Sequence, residues 1–166
     1  GIPLIKELRD RIFLLAVDTA YPALLAHGIV PDGVFNLDGQ FYNYYDFYKH
    51  KGNELFLFSD ITAFPASLRL KGVKNVFFSS QFIPNTLLNR LADNKILPTP
   101  IPPLGSVGVT SLFLCRKLSE GNLILAGLDF SYTPGKSHAK GTIYHDLYLM
   151  RTKRDLPDGG LTALSY

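Results

Sequence analysis

Apolar runs recur along the chain, each closed by turn or charged residues. IFLLAVD (12–18), GVFNLD (33–38), ELFLFSD (54–60), NVFFSS (75–80) and NLILAGLD (122–129) are nearly continuous in apolar character rather than alternating. That is the pattern of strands covered on both faces. Between them, TAYPALLAH (19–27), FYNYYDFYKH (41–50), a shorter stretch near 62–71, PNTLLNRLADN (84–94) and VGVTSLFLCRKLS (107–119) space their apolar residues as helices do. His27-Gly28 reads as a helix end with a glycine cap, and the opening GIPLIKELRDR reads as part of a helix. Strands alternating with helices predict an α/β fold: an open, mostly parallel sheet with helices on both faces, in a single domain over 1–166. The proline-rich ILPTPIPPLG (96–105) reads as a stiff connection before a helix.

One helical pattern carries an unusual load. In FYNYYDFYKH, Phe41, Tyr44, Tyr45 and Tyr48 fall at i, i+3, i+4 and i+7, the spacing of one helix face. This predicts core packing with hydroxyls reaching the surface, in preference to base stacking. Tyr42 and Phe47 lie off the stripe and are left for a subunit interface.

Composition narrows the partners. The 166 residues are 46% hydrophobic and 19% charged, which fits an ordered globular chain. A net charge of +3 and a pI near 9.0 tolerate anionic ligands but are too mild to indicate nucleic-acid binding. The single cysteine, Cys115, lies in an apolar run, so an intrachain disulfide is excluded and packing in the core is expected. No apolar run reaches the ~18 residues of a membrane span, and no signal-peptide pattern opens the chain. These features fit a cytoplasmic protein. A start without Met points to a piece of a longer chain, with Gly1 left from a tag.

Four of the five predicted strands end in aspartate: Asp18, Asp38, Asp60 and Asp129. Open parallel sheets bind ligands beyond the carboxyl ends of their strands, so these acids fall on the edge where a site is built. Asp is also a good helix cap and turn residue, which would explain any one of them. PLGSVGVTS (103–111) is a second candidate. Gly105 and Gly108 permit close backbone approach, and Ser106 and Thr110 offer hydroxyls where a helix start suits a phosphate. It is neither a Walker loop nor a GxGxxG fingerprint, and a capped helix after a proline turn explains it as well. Of the histidines, His27 and His50 read as structural or solvated. His138 and His145 follow Asp129 in a spacing that matches no zinc pattern. His138 can act as a general base or be an ordinary loop residue, and Lys136 can pair with phosphate or simply keep the loop soluble. No Gly-x-Ser-x-Gly elbow is present.

Two blocks carry a resemblance: LLAVDTAYPALLAHGIVPDGVFNLDGQ (14–40) and GSVGVTSLFLCRKLSEGNLILAGLDFSYTPGKSHAKGT (105–142). Together they resemble the domain family of archaeal 6-hydroxymethyl-dihydropterin pyrophosphokinase and the bacterial motility accessory factors, the latter implicated in glycosylating flagellin. The first pattern is matched at Asp18, Thr19, Ala20, Gly28, Ile29, Pro31, Asp32 and Asp38. The second is matched at Gly127, Asp129, Tyr132, Gly135, Lys136, His138 and Ala139. The second block also resembles, more distantly, bacterial sialyltransferases that use CMP-sialic acid. There the extra Val107, and Ser131 in place of a tyrosine, depart from the pattern. Family members usually open with a strand and a Gly-Pro-Ser-Leu loop, which this chain lacks.

The resemblance implies a Rossmann-like, sialyltransferase-like domain of a nucleotide-dependent transferase. It would transfer a glycosyl group from a CMP-nonulosonate-type donor, with flagellin as a protein acceptor. The alternatives are pyrophosphoryl transfer from ATP to 6-hydroxymethyl-dihydropterin and a non-catalytic nucleotide-binding or assembly module. A nucleotide or nucleotide-sugar would be held by Asp18, Thr19, Asp38, Gly105, Ser106, Gly108, Thr110, Tyr132 and Lys136. Asp129 and His138 would be the catalytic pair, with His138 as base. Mg²⁺ is compatible with the strand-end carboxylates, and a homo-oligomer is allowed.

Overall fold

The computed structural model describes residues 1–80, 85–131 and 138–154. Five strands form one parallel sheet in the order β1 (Leu15–Val17), β2 (Gly33–Asn36), β3 (Leu55–Asp60), β4 (Val73–Ser80) and β5 (Pro100–Ile101). The helices are α1 (Ile2–Leu8), α2 (Tyr21–Ala26), α3 (Thr86–Asp93), α4 (Val107–Leu118) and α5 (Ile143–Arg151). The α/β reading of the sequence therefore holds, as an open parallel sheet.

Alternate side chains of the strands feed two cores. On one face Ala16, Val34, Leu55 and Leu57 pack with Tyr21 and Leu24 of α2 and with Phe47, and Ile2 and Ile5 of α1 close over them. On the other, Phe35, Phe58, Phe78 and Ile101 pack against Leu114, Phe113 and Val107 of α4. The Phe35 and Phe58 rings stack at 5.0 Å across the β2–β3 register. Full burial of one such side chain stabilises the fold by about 1.5–3 kcal/mol. Burial on both faces is why these strands are continuously apolar.

Four expectations need correction. The aromatic run is a 3-10 helix, Phe41–Phe47, and its stripe faces outward: Phe41, Tyr44, Tyr45 and Tyr48 are all exposed. With three residues per turn, Asn43 and Asp46 share a face and turn inward, and Phe47 beside them is core rather than interface. The outward rings pack edge to face on one another, as Phe41 does on Tyr45 and Phe64. The connection 96–105 contains β5. Near 62–71 only a single 3-10 turn, Ser67–Arg69, forms. The run 122–129 joins no strand ladder with any described residue, and Ile124 is 72% exposed.

Candidate functional site at the carboxyl edge of the sheet

The strand-end aspartates have separate fates. Asp60 is a structural clamp. Its Oδ1 accepts from the Thr62 N–H and hydroxyl, and its Oδ2 from the Ser80 N–H and hydroxyl at 2.7 and 2.6 Å. The two bonds from Ser80 tie the end of β3 to the end of β4, and the two from Thr62 close the turn that follows β3. Asp38 is exposed and accepts the Gln40 N–H in a local turn. Asp18 begins a 3-10 turn directly after β1 and is only 3% exposed.

Around Asp18 the structure builds an acidic cluster. Its Oδ1 accepts the Thr19 N–H at 2.8 Å, and its Oδ2 accepts Nδ2 of Asn43 at 2.8 Å. Asp46, one 3-10 turn beyond Asn43, is 1% exposed and makes no hydrogen bond with a described residue. Burial pushes the Asp46 carboxyl up to about 7, and the charges of Asp18 and Asp38 add to the rise. Burial also raises Asp18 to about 6, against the pull of its hydrogen bonds from Thr19 and Asn43. Two carboxyls in dry surroundings cannot both ionise cheaply, so the cluster holds a proton near neutrality. The Tyr144 hydroxyl on α5 is lifted to about 12, first by burial and then by Asp46, Asp18 and Asp38. His138 stacks on the Tyr144 ring at 4.7 Å, and burial lowers its pKa. Tyr48 donates to Asp146 at 3.3 Å and Lys49 to the Gly141 carbonyl at 2.9 Å, holding the α5 segment beside the aromatic helix.

A second group lies where α4 begins, five residues past the carboxyl end of β5. Gly105 adopts φ +78°, a left-handed conformation that favours glycine, and hands the chain to Ser106. Ser106 Oγ caps the helix by accepting the Val109 N–H at 3.2 Å. The Val107 and Gly108 N–H groups remain without an acceptor among the described residues, the condition in which a helix start takes an anion. Gly108 lets Leu128 pack close against the helix start, because a Cβ there would lie 2.4 Å from Leu128 Cδ1 and the leucine side chain would have to turn aside. That contact sets Leu128, and the exposed Asp129 after it, against the start of α4. Thr110 is fully buried inside the helix, with its hydroxyl unpartnered.

The structure thus brings Asp18, Thr19, Asp38 and His138 into one neighbourhood, and Gly105, Ser106, Gly108 and Asp129 into another. Tyr132 and Lys136 lie outside the described residues. His27 caps α2 before Gly28, whose φ is +72°. His50 is structural: its Nε2–H donates to the Lys71 carbonyl, so its Nδ1 accepts the Tyr21 hydroxyl at 2.6 Å. Asn43, Asp46 and Tyr144 were missed. The available signal was a pair of polar residues three apart inside an aromatic run. Among the described residues no three His, Cys, Asp or Glu side chains are grouped so as to hold a metal ion. No helix among them is long and apolar enough to cross a membrane.

This arrangement coincides with a family match. The model of the 6-hydroxymethylpterin diphosphokinase MptE-like family covers residues 1–135. The chain belongs to this family. It is also similar to an uncharacterized protein of Treponema pallidum (strain Nichols), 36% identical over 146 residues, which are 84% of this chain and 25% of that protein. The chain therefore spans about a quarter of the length of this relative. No solved structure matches. Family membership supports a pterin-kinase-like or accessory domain.

Proposed function

We propose that this chain is the nucleotide-binding domain of a transferase that moves a phosphate-linked group onto an acceptor hydroxyl. One observation carries the reading: a side-chain-capped helix start with free N–H groups and a buried carboxyl pair lie on the same edge of one parallel sheet. The donor phosphate sits at the Val107 and Gly108 N–H groups, and the acceptor lies toward Asp18. The family's name favours diphosphoryl transfer from ATP to a hydroxymethyl pterin, which releases AMP. Glycosyl transfer from a CMP-nonulosonate-type donor to a protein such as flagellin is the second reading. It is favoured by the packing of Leu128 on Gly108, which sets the exposed Asp129 that follows it near the α4 start.

The function is tested with full-length protein offered ATP with 6-hydroxymethyl-dihydropterin, and separately a CMP-nonulosonate with flagellin, following AMP or CMP release. Turnover with one pair selects that reaction. Nucleotide binding without turnover favours a binding module. Absence of nucleotide binding overturns the proposal.

A further inference from the structure

Among the described residues, Asp46 is the one fully buried carboxylate that accepts no hydrogen bond, and its Oδ1 is buried without a partner. Its neighbours explain why no donor is at hand. Asp18 is already occupied by the Thr19 N–H and by Nδ2 of Asn43. That second bond fixes the Asn43 amide, because its other orientation would set a carbonyl against a carboxylate. Asn43 Oδ1 is therefore turned away from Asp18, and it too is buried without a partner. One 3-10 face thus presents two unpartnered acceptors, Asn43 Oδ1 and Asp46 Oδ1, in a setting where each unmade bond costs about 1–3 kcal/mol. A group that brings its own hydrogen-bond donor relieves both.

We propose that Asp46 is the proton acceptor for the acceptor hydroxyl in the group transfer, a role that rests on the transferase reading above. The hydroxyl proton passes to Asp46 as the oxygen forms its bond to the transferred group. The electron pair of the broken bond leaves on the donor's phosphate oxygen, and Asp46 later returns the proton to water. Asn43 Oδ1 orients the hydroxyl. The other groups of the neighbourhood are less free. Asp18 is held by two donors, Asp38 is exposed and turned into a local loop, and Tyr144 carries His138 stacked on its ring. Asp46 also has the proton affinity the task needs. Burial, Asp18 and Asp38 hold it near 7, where a carboxylate is basic enough to accept a proton and still ionised in a large fraction of molecules.

The test uses the full-length protein and whichever donor–acceptor pair turns over. Asp46→Asn should leave nucleotide affinity and KM for the donor unchanged, lower kcat by about 100-fold or more, and abolish the acid limb of the kcat profile near pH 7. A variant that turns over about as fast as the unsubstituted protein, with the same acid limb, overturns the proposal and leaves the transferase reading standing. Should Asp46→Asn fail to fold, the unsubstituted protein still decides: a kcat profile flat from pH 5.5 to 8.5 (about 1.5 units either side of 7) overturns it, and a limb near 7 supports it. Failure of the unsubstituted protein to turn over any pair overturns the transferase reading and the proposal together.

Discussion

Replacing Asp46 by Asn should stabilise this fold at alkaline pH, an uncommon result for a buried polar site. Its carboxyl ionises at an ordinary 3.8 in the open chain and at about 7 when folded. Between those values the native state holds the proton more tightly than the unfolded state, so stability falls as pH rises from about 4 to 7 and stays low above. Roughly three units at about 1.4 kcal/mol each set a ceiling near 4 kcal/mol. Asn carries no charge to desolvate and escapes this loss. At pH 8 the variant should therefore be more stable by about 2–4 kcal/mol, or about 4–16 °C in Tm for a domain of this size. At pH 4, where both side chains are neutral, the two proteins should melt together. His138 has a folded pKa below its usual value, so it removes stability from both proteins equally as pH falls below about 6.5. Denaturant melts of both proteins from pH 4 to 8 measure the difference. A difference independent of pH, or a variant less stable at pH 8, would refute the claim that Asp46 is buried without a donor. A stabilising loss of a side chain is also what a group retained for function predicts.

Other substitutions separate the site from the scaffold. Ser106→Ala removes the α4 cap and should cost about 1 kcal/mol in denaturant melts, while weakening nucleotide binding in calorimetry. Gly108→Ala meets only the far end of the half-buried Leu128 side chain, which can turn aside, so denaturant melts should register a change of about 1 kcal/mol or less. Asp60→Asn leaves two of four donors facing an amide nitrogen and should cost about 3 kcal/mol or more, while the remaining folded protein keeps its nucleotide affinity.

Much of the architecture was legible because parallel strands buried on both faces must be apolar throughout. β1 to β3 fell inside the predicted runs, β4 begins two residues before its run at 75–80, and Ser106 was recognisable as a cap before a periodic segment. NLILAGLD has the same apolar density, but composition does not specify a ladder partner, so 122–129 looked like its neighbours. The aromatic run misled for a different reason. Its α spacing was real, but the backbone winds as a 3-10 helix, and the change of period exchanges the inward and outward faces. Asp46 was hidden by that exchange. β5 was invisible because two residues of pairing inside a proline-rich segment leave no periodicity to detect.

The central claim is that donor and acceptor meet at the carboxyl edge, between the α4 start and the Asp18–Asp46 pair. A crystal structure of the full-length protein with bound nucleotide tests it most directly. The account predicts phosphate oxygens hydrogen-bonded to the Val107 and Gly108 N–H groups, with the transferable group directed toward Asp46. A nucleotide bound instead at the opposite edge, in the shallow cleft lined by Phe13, Asp32, Glu54 and Lys74, would contradict it.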